Sequence, residues 1–212
     1  AAIAPHLLLG KEAPLTWRVS PDRRKALRAI VETVGMSIDE LGGLQSWAAA
    51  MTISVTGLTQ AYAGPDGDPA ALTGVEDELR EDFLRMKRPI SGVETGEQQM
   101  GFLAGMSFAS QREMLESMVD AWLQGDADMS EPEEDSWLVG DVERLGAEME
   151  EMPAEMYDIL ITRRNRAWTQ WLIERLERPG TVLFAVGSGH LAGRDSVQSM
   201  LAEHGLEATR IH

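Results

Sequence analysis

The sequence predicts an α+β domain, mostly helical, with a small and largely parallel sheet. Three observations carry that prediction. Apolar residues recur at helical spacing along most of the chain. Several of these stripes follow capping-box signatures. Near the C-terminus the apolar run Val182 to Val186 has strand length and leads through a glycine-rich turn into another helical stripe.

The chain has 212 residues, enough for one domain over 1–212, with a subdomain break expected near 64–72. Hydrophobic residues make up 43% and charged residues 25%, an ordinary globular balance. Nineteen Lys and Arg stand against 35 Asp and Glu, a net charge of −16. That balance excludes a nucleic-acid or anionic-membrane binder, which needs a basic face for phosphates. Cysteine is absent, so disulfides, thiolate nucleophiles and Cys-ligated metal centres are excluded. No apolar run approaches the ~18 residues of a membrane span.

Ser20-Pro21 reads as an N-cap followed by proline at the first helical position. Ala26, Leu27, Ile30, Val31 and Val34 form the stripe behind it, and Gly35 ends it. Ser37 and Glu40 form a capping box, followed by a long helix with Trp47, Met51, Val55, Leu58 and Tyr62 on one face. Gly64 to Pro69 is a turn or a subdomain boundary. Thr73 and Glu76 form a second box, before the stripe Val75, Leu79, Phe83, Met86.

Pro89 to Glu94 reads as a short strand around Ile90 and Val93. Thr95 and Gln98 start another helix, and Met114, Leu115, Met118, Val119 and Trp122 form the next stripe. The acidic stretch 126–135 reads as a solvated loop. A long helix is expected from Ala154 to Arg178, ended by Pro179-Gly180. Thr181 to Val186 reads as a strand buried on both faces, and Glu207 to Ile211 as a last strand.

Three places can carry chemistry. His190 follows the best strand in Gly187-Ser188-Gly189-His190, where ligands of open α/β sheets bind. Gly187 and Gly189 there permit close backbone approach to a ligand. An imidazole at that point can ligate a metal or move a proton, and a tight turn with an incidental histidine fits the spacing equally well. Glu94 sits at another strand end, where a carboxylate serves as a hard-metal ligand, a general base or a partner of a helix N-terminus. Arg164 and Asn165 share the inward face of Tyr157, Ile161, Trp168, Trp171 and Leu172. Polar groups among core aromatics need partners, so they mark a site or a structural ion pair. The templates G-x-S-x-G, H-E-x-x-H and the P-loop are absent.

These segments together resemble the TraB/GumN family, which includes the TIKI proteases. Leu183 to Gly193 resembles that family's closing G-x-x-H signature, and Arg164-Asn165 with Trp168 its Arg-Asn helix. Gly74 to Glu76, Lys87 to Pro89 and Gly92 to Thr95 resemble its middle block, and Leu44 to Ala50 the piece before it. The resemblance implies a fold similar to the erythromycin-esterase and ChaN group, and a metal-dependent hydrolase of peptidase type. Manganese or cobalt, with zinc as a further candidate, would be held by His190 and Glu94. Arg164 and Asn165 would line the pocket, with a peptide or protein as substrate. The alternative is a non-catalytic peptide- or ligand-binding protein on the same scaffold.

The family pattern has two G-x-x-H motifs, and this sequence has one. The expectation is therefore a domain missing its front strands, inactive by itself and prone to self-association through an exposed sheet edge. The resemblance also implies the bacterial periplasm or cell envelope.

Overall fold

The computed structural model describes residues 4–8, 13–63, 74–124 and 136–211. These fall into two compact units, Ala1–Glu131 and Pro132–His212. The turn at 64–69, Thr73 and the acidic stretch 126–135 lie outside the described residues.

In the first unit the helices are α1 (Ala4–Leu7), α2 (Arg24–Thr33), α3 (Ile38–Gly42), α4 (Ser46–Ala63), α5 (Val75–Arg85), α6 (Gly96–Ala104) and α7 (Phe108–Gln124). Helix α2 begins three residues beyond Pro21, because the Ser20 N–H donates to Glu116 Oε1 at 2.7 Å and residues 21–23 form a turn. Its stripe is as the spacing predicts: Leu27, Ile30 and Val31 are buried, and Gly35 leaves the helix with φ +73°. Each such side chain contributes roughly 1.5–3 kcal/mol of burial.

The Ser37–Glu40 capping box forms, but it starts only the short α3. The long α4 buries a different face from the expected one. Trp47 is buried, whereas Met51, Val55 and Leu58 are exposed, Val55 at 54%. The inward face is instead Ala49, Ala50 and Ile53, packed with Leu115 and Val119 of α7. Close approach decides this. A Cβ on Gly57 would stand 2.7 Å from the Trp122 ring, so small residues on α4 let α7 settle against it. Helix α5 starts at Val75 behind Gly74, whose N–H donates to Asp77 Oδ2 at 3.3 Å, and it buries none of its residues. The Thr95–Gln98 capping box opens α6 as predicted.

The second unit contains α8 (Ser136–Val139), α9 (Val142–Glu150), α10 (Ala154–Tyr157), α11 (Arg163–Leu176) and α12 (Val197–Glu203). The single long helix expected over 154–178 is interrupted by a π-helical segment, Asp158–Thr162, between α10 and α11. Helix α12 forms with Val197 and Met200 buried, capped by Ser196.

The predicted sheet is not there. Among the described residues there is no strand, and the α+β class with a small parallel sheet gives way to a helical architecture. One isolated antiparallel bridge joins Leu8 and Leu44. The stretches 89–94, 181–186 and 207–211 have no regular secondary structure and no ladder partners among the described residues, and the chain bends at Val93 and Glu94.

An apolar run reports burial, and strand identity needs a neighbouring strand as well. Along 181–186 half-buried and exposed residues alternate, with Leu183 55% exposed. One face, Val182, Phe184 and Val186, is covered, and Phe184 packs on Trp168 and Trp171 of α11. Burial on both faces is thereby corrected. Among the described residues there is no sheet edge of the kind through which association was expected. Among the described residues, no helix is long and apolar enough to cross a membrane.

Candidate functional site

The second unit gathers Arg164, Asn165 and His190 into one cluster. The π segment prepares it: the Arg163 N–H bonds back five residues to Asp158 O, which changes the helical phase just before Arg164. Asn165, with 0% exposure, sits on the inward face of α11 beside Trp168 and Leu172. Its Nδ2 donates to two backbone carbonyls, His190 O at 3.2 Å and Asp195 O at 2.7 Å. Both amide hydrogens are thus committed, and Oδ1 is left to face His190 Nδ1 at 2.7 Å.

That geometry selects the histidine tautomer. Oδ1 can only accept, so Nδ1 carries the proton. His190 Nε2 lies 3.4 Å from Arg164 Nη1, and a guanidinium can only donate, so Nε2 presents its lone pair. Arg164 Nη1 also donates to Leu160 O at 3.3 Å, and its guanidinium stacks 4.8 Å above the Trp168 ring. The imidazole rests on the same ring, with centroids 4.5 Å apart. Trp168 therefore fixes the planes of both groups.

His190 is carried by a short 3-10 turn, Ser188–Leu191, whose His190 N–H donates to Gly187 O at 3.0 Å. Gly187 has ordinary extended dihedrals, φ −57° and ψ 143°. Gly189 is packed tightly instead: a Cβ there would meet Met149 Sδ of α9 at 2.6 Å. The helix-to-turn packing also needs Gly146, where an added Cβ would stand 2.6 Å from Gly193 N. The turn leaves His190 half-buried.

An ionic group flanks the cluster. Thr162 Oγ1 donates to Asp195 Oδ2 at 3.3 Å, and Arg194 Nε lies 3.5 Å from the same oxygen and 3.8 Å from Glu150 Oε1. Burial, followed by the charges of Asp195 and Glu150, raises the Tyr157 phenol above its usual pKa. Glu150 also raises the Arg194 guanidinium. The sequence reading missed Gly146 and Asp195 as parts of this assembly, and it placed Tyr157 on the inward face. Asp195 supplies a main-chain oxygen, which no residue pattern reveals.

Glu94 lies in the first unit and accepts from Gln99 Nε2 at 3.4 Å. His190 Nε2 has the electronic state of a metal ligand, with its other ring nitrogen held by a carbonyl oxygen. It faces the Arg164 guanidinium at 3.4 Å. Among the described residues no group of three His, Cys, Asp or Glu converges on a point.

The family model for TraB/PrgY/gumN proteins matches residues 1–210, essentially the whole sequence. The chain belongs to the TraB/PrgY/gumN family. No curated protein and no solved structure matches it. Within the TraB/PrgY/gumN chain the polar cluster falls on the G-x-x-H turn and the Arg-Asn helix, the two segments that carried the resemblance nearest the C-terminus.

Proposed function

We propose that this TraB/PrgY/gumN protein acts on a peptide or related amide by hydrolysis, with His190 as general base and Arg164 as the carbonyl-binding donor. The observation that carries this reading is the Asn165 clamp, which holds His190 as the Nδ1–H tautomer with Nε2 beside a guanidinium. A water placed against Nε2 loses its proton to that nitrogen as its oxygen attacks the carbonyl carbon. The oxyanion that forms is met by Arg164, a charge-assisted donor held on Trp168. The imidazolium then returns the proton to the leaving nitrogen as the C–N bond breaks. Nothing in these steps is routed through a metal.

The test is digestion of a proteome-derived peptide mixture by the full chain, read by mass spectrometry, beside the variants His190→Ala and Arg164→Met. Cleavage by the native chain that both variants lose supports the reading. Equal cleavage by native chain and His190→Ala, or no cleavage, overturns it. Repeating the digestion with EDTA, and with added manganese or cobalt, tests the metal that the resemblance implies. Peptide retention without cleavage would favour the non-catalytic alternative, which the closed Asn165–His190 network also accommodates.

A further inference from the structure

Helix α11 has two polar faces, and the catalytic reading uses only one. Arg164, Asn165 and Trp168 face the His190 turn. Arg163, Arg166 and Thr169 line a cavity of about 610 Å³ on the side toward α12, together with Asp195, Glu203 and His204. That is the size of a small-ligand site.

Its charges are sorted by wall. The α11 wall carries two guanidiniums, and the wall from Asp195 to α12 carries two carboxylates. Arg163 is engaged by Asp158 at 2.6 Å. Arg166, exposed, has no hydrogen bond or ion pair with another described residue, and Glu203 has none either. Thr169, also in the lining, is 3% exposed and its Oγ1 has no partner among the described residues. A buried hydroxyl is ordinarily satisfied. This pocket therefore offers an uncommitted fork for a carboxylate on one wall and a carboxylate for an ammonium on the other.

We propose that the groove between α11 and α12 binds a small amino-carboxylate zwitterion, its carboxylate on Arg166 and its ammonium toward Glu203. A simple anion would meet two carboxylates, and a simple cation two guanidiniums. Only a ligand carrying both charges matches both walls. The proposal rests on the cavity and is independent of the hydrolase reading.

The experiment is a titration of the full chain with L-alanyl-L-alanine, followed by two-dimensional amide NMR. Saturable shifts at residues 163–170 and 195–204 are expected. N-acetyl-alanyl-alanine, which lacks the ammonium, and alanyl-alaninamide, which lacks the carboxylate, should each bind about tenfold more weakly. Arg166→Gln and Glu203→Gln, both surface changes, should each weaken the dipeptide about tenfold while leaving the spectrum otherwise native. The proposal is overturned if no saturable shifts appear, if the shifts centre on the turn 187–191 around His190, if the acetylated or amidated probe binds as tightly, or if Arg166→Gln leaves the affinity unchanged.

Discussion

Each unit of this chain shelters an arginine, and the two are used differently. Arg18 in the first unit is 3% exposed, and three of its nitrogens reach carbonyls: Nε to Ala13 O at 2.7 Å, Nη1 to Leu44 O and Nη2 to Gly42 O, both at 2.6 Å. Its own carbonyl accepts from Arg112 Nε at 2.8 Å. All three nitrogens of that guanidinium hold main chain, at Ala13 and at the turn from α3 into α4. Arg164 in the second unit is half-buried, lies over an indole, and makes long contacts of 3.3 and 3.4 Å with a carbonyl and an imidazole nitrogen. Short bonds to main chain mark a brace. Arg164 instead meets a titratable ring as well as main chain. Burial of a charge therefore says little about function until its partners are known.

The largest expected effect tests the brace. Arg18→Met should lower stability by about 3–5 kcal/mol, because it leaves three carbonyls without their charged donor. Urea unfolding measures it, and native stability in that variant would erase the contrast. Arg164→Met should cost only about 1 kcal/mol in the same assay. It should reduce any peptide cleavage roughly 100-fold or more, as expected for removing an oxyanion donor. A large stability loss with unchanged turnover would make Arg164 a second brace.

Asn165→Leu comes next, with an expected cost of about 2–4 kcal/mol, since it strands the carbonyls of His190 and Asp195. NMR of the imidazole nitrogens should also show His190 losing its single tautomer. An unchanged tautomer would remove Asn165 from its positioning role.

The glycine contacts sharpen the comparison further. Gly146→Ala drives a methyl into the Gly193 backbone, whereas Gly57→Ala meets the end of the Trp122 side chain. Backbone cannot swing away, so Gly146→Ala should destabilise by about 2 kcal/mol and Gly57→Ala by less. Thermal melts of the two variants decide the order, and the reverse order would mean that the indole is the more rigid neighbour.

The smallest effect is electrostatic. The Ser37 hydroxyl, followed by the Ser37 N–H, donates to Glu40 and holds its carboxyl below the usual glutamate range. A depressed carboxylate contributes stability above its unfolded pKa and loses it as the pH falls through the lower folded value. The α3 cap should therefore weaken only in acid. NMR titration should show the Glu40 midpoint rising to the ordinary value in Ser37→Ala, and an unmoved midpoint would rule out the cap as its cause.

Local chemistry was readable in the chain itself. The capping boxes at Ser37–Glu40 and Thr95–Gln98, the α2 stripe, the αL exit at Gly35 and the α12 stripe all depend on residues a few positions apart. Such bonds close within a turn, so sequence alone determines them. That Arg164 and Asn165 need partners was also signalled, because polar side chains on an aromatic face demand them, but the residue pattern did not say that His190 is one.

What lay beyond reach depends on distant neighbours. The run 181–186 has strand composition, but only an adjacent strand would make it one, and α11 covers it instead. On α4 the large apolar residues lost the core to Ala49, Ala50 and Ile53, because closeness to α7 mattered more than side-chain size. The π segment that re-phases α11, the role of Arg18 and the main-chain oxygen of Asp195 are likewise settled by packing. Hydrogen bonds within a turn are encoded locally, whereas sheet pairing, burial face and the partners of a buried charge are fixed only once remote segments meet.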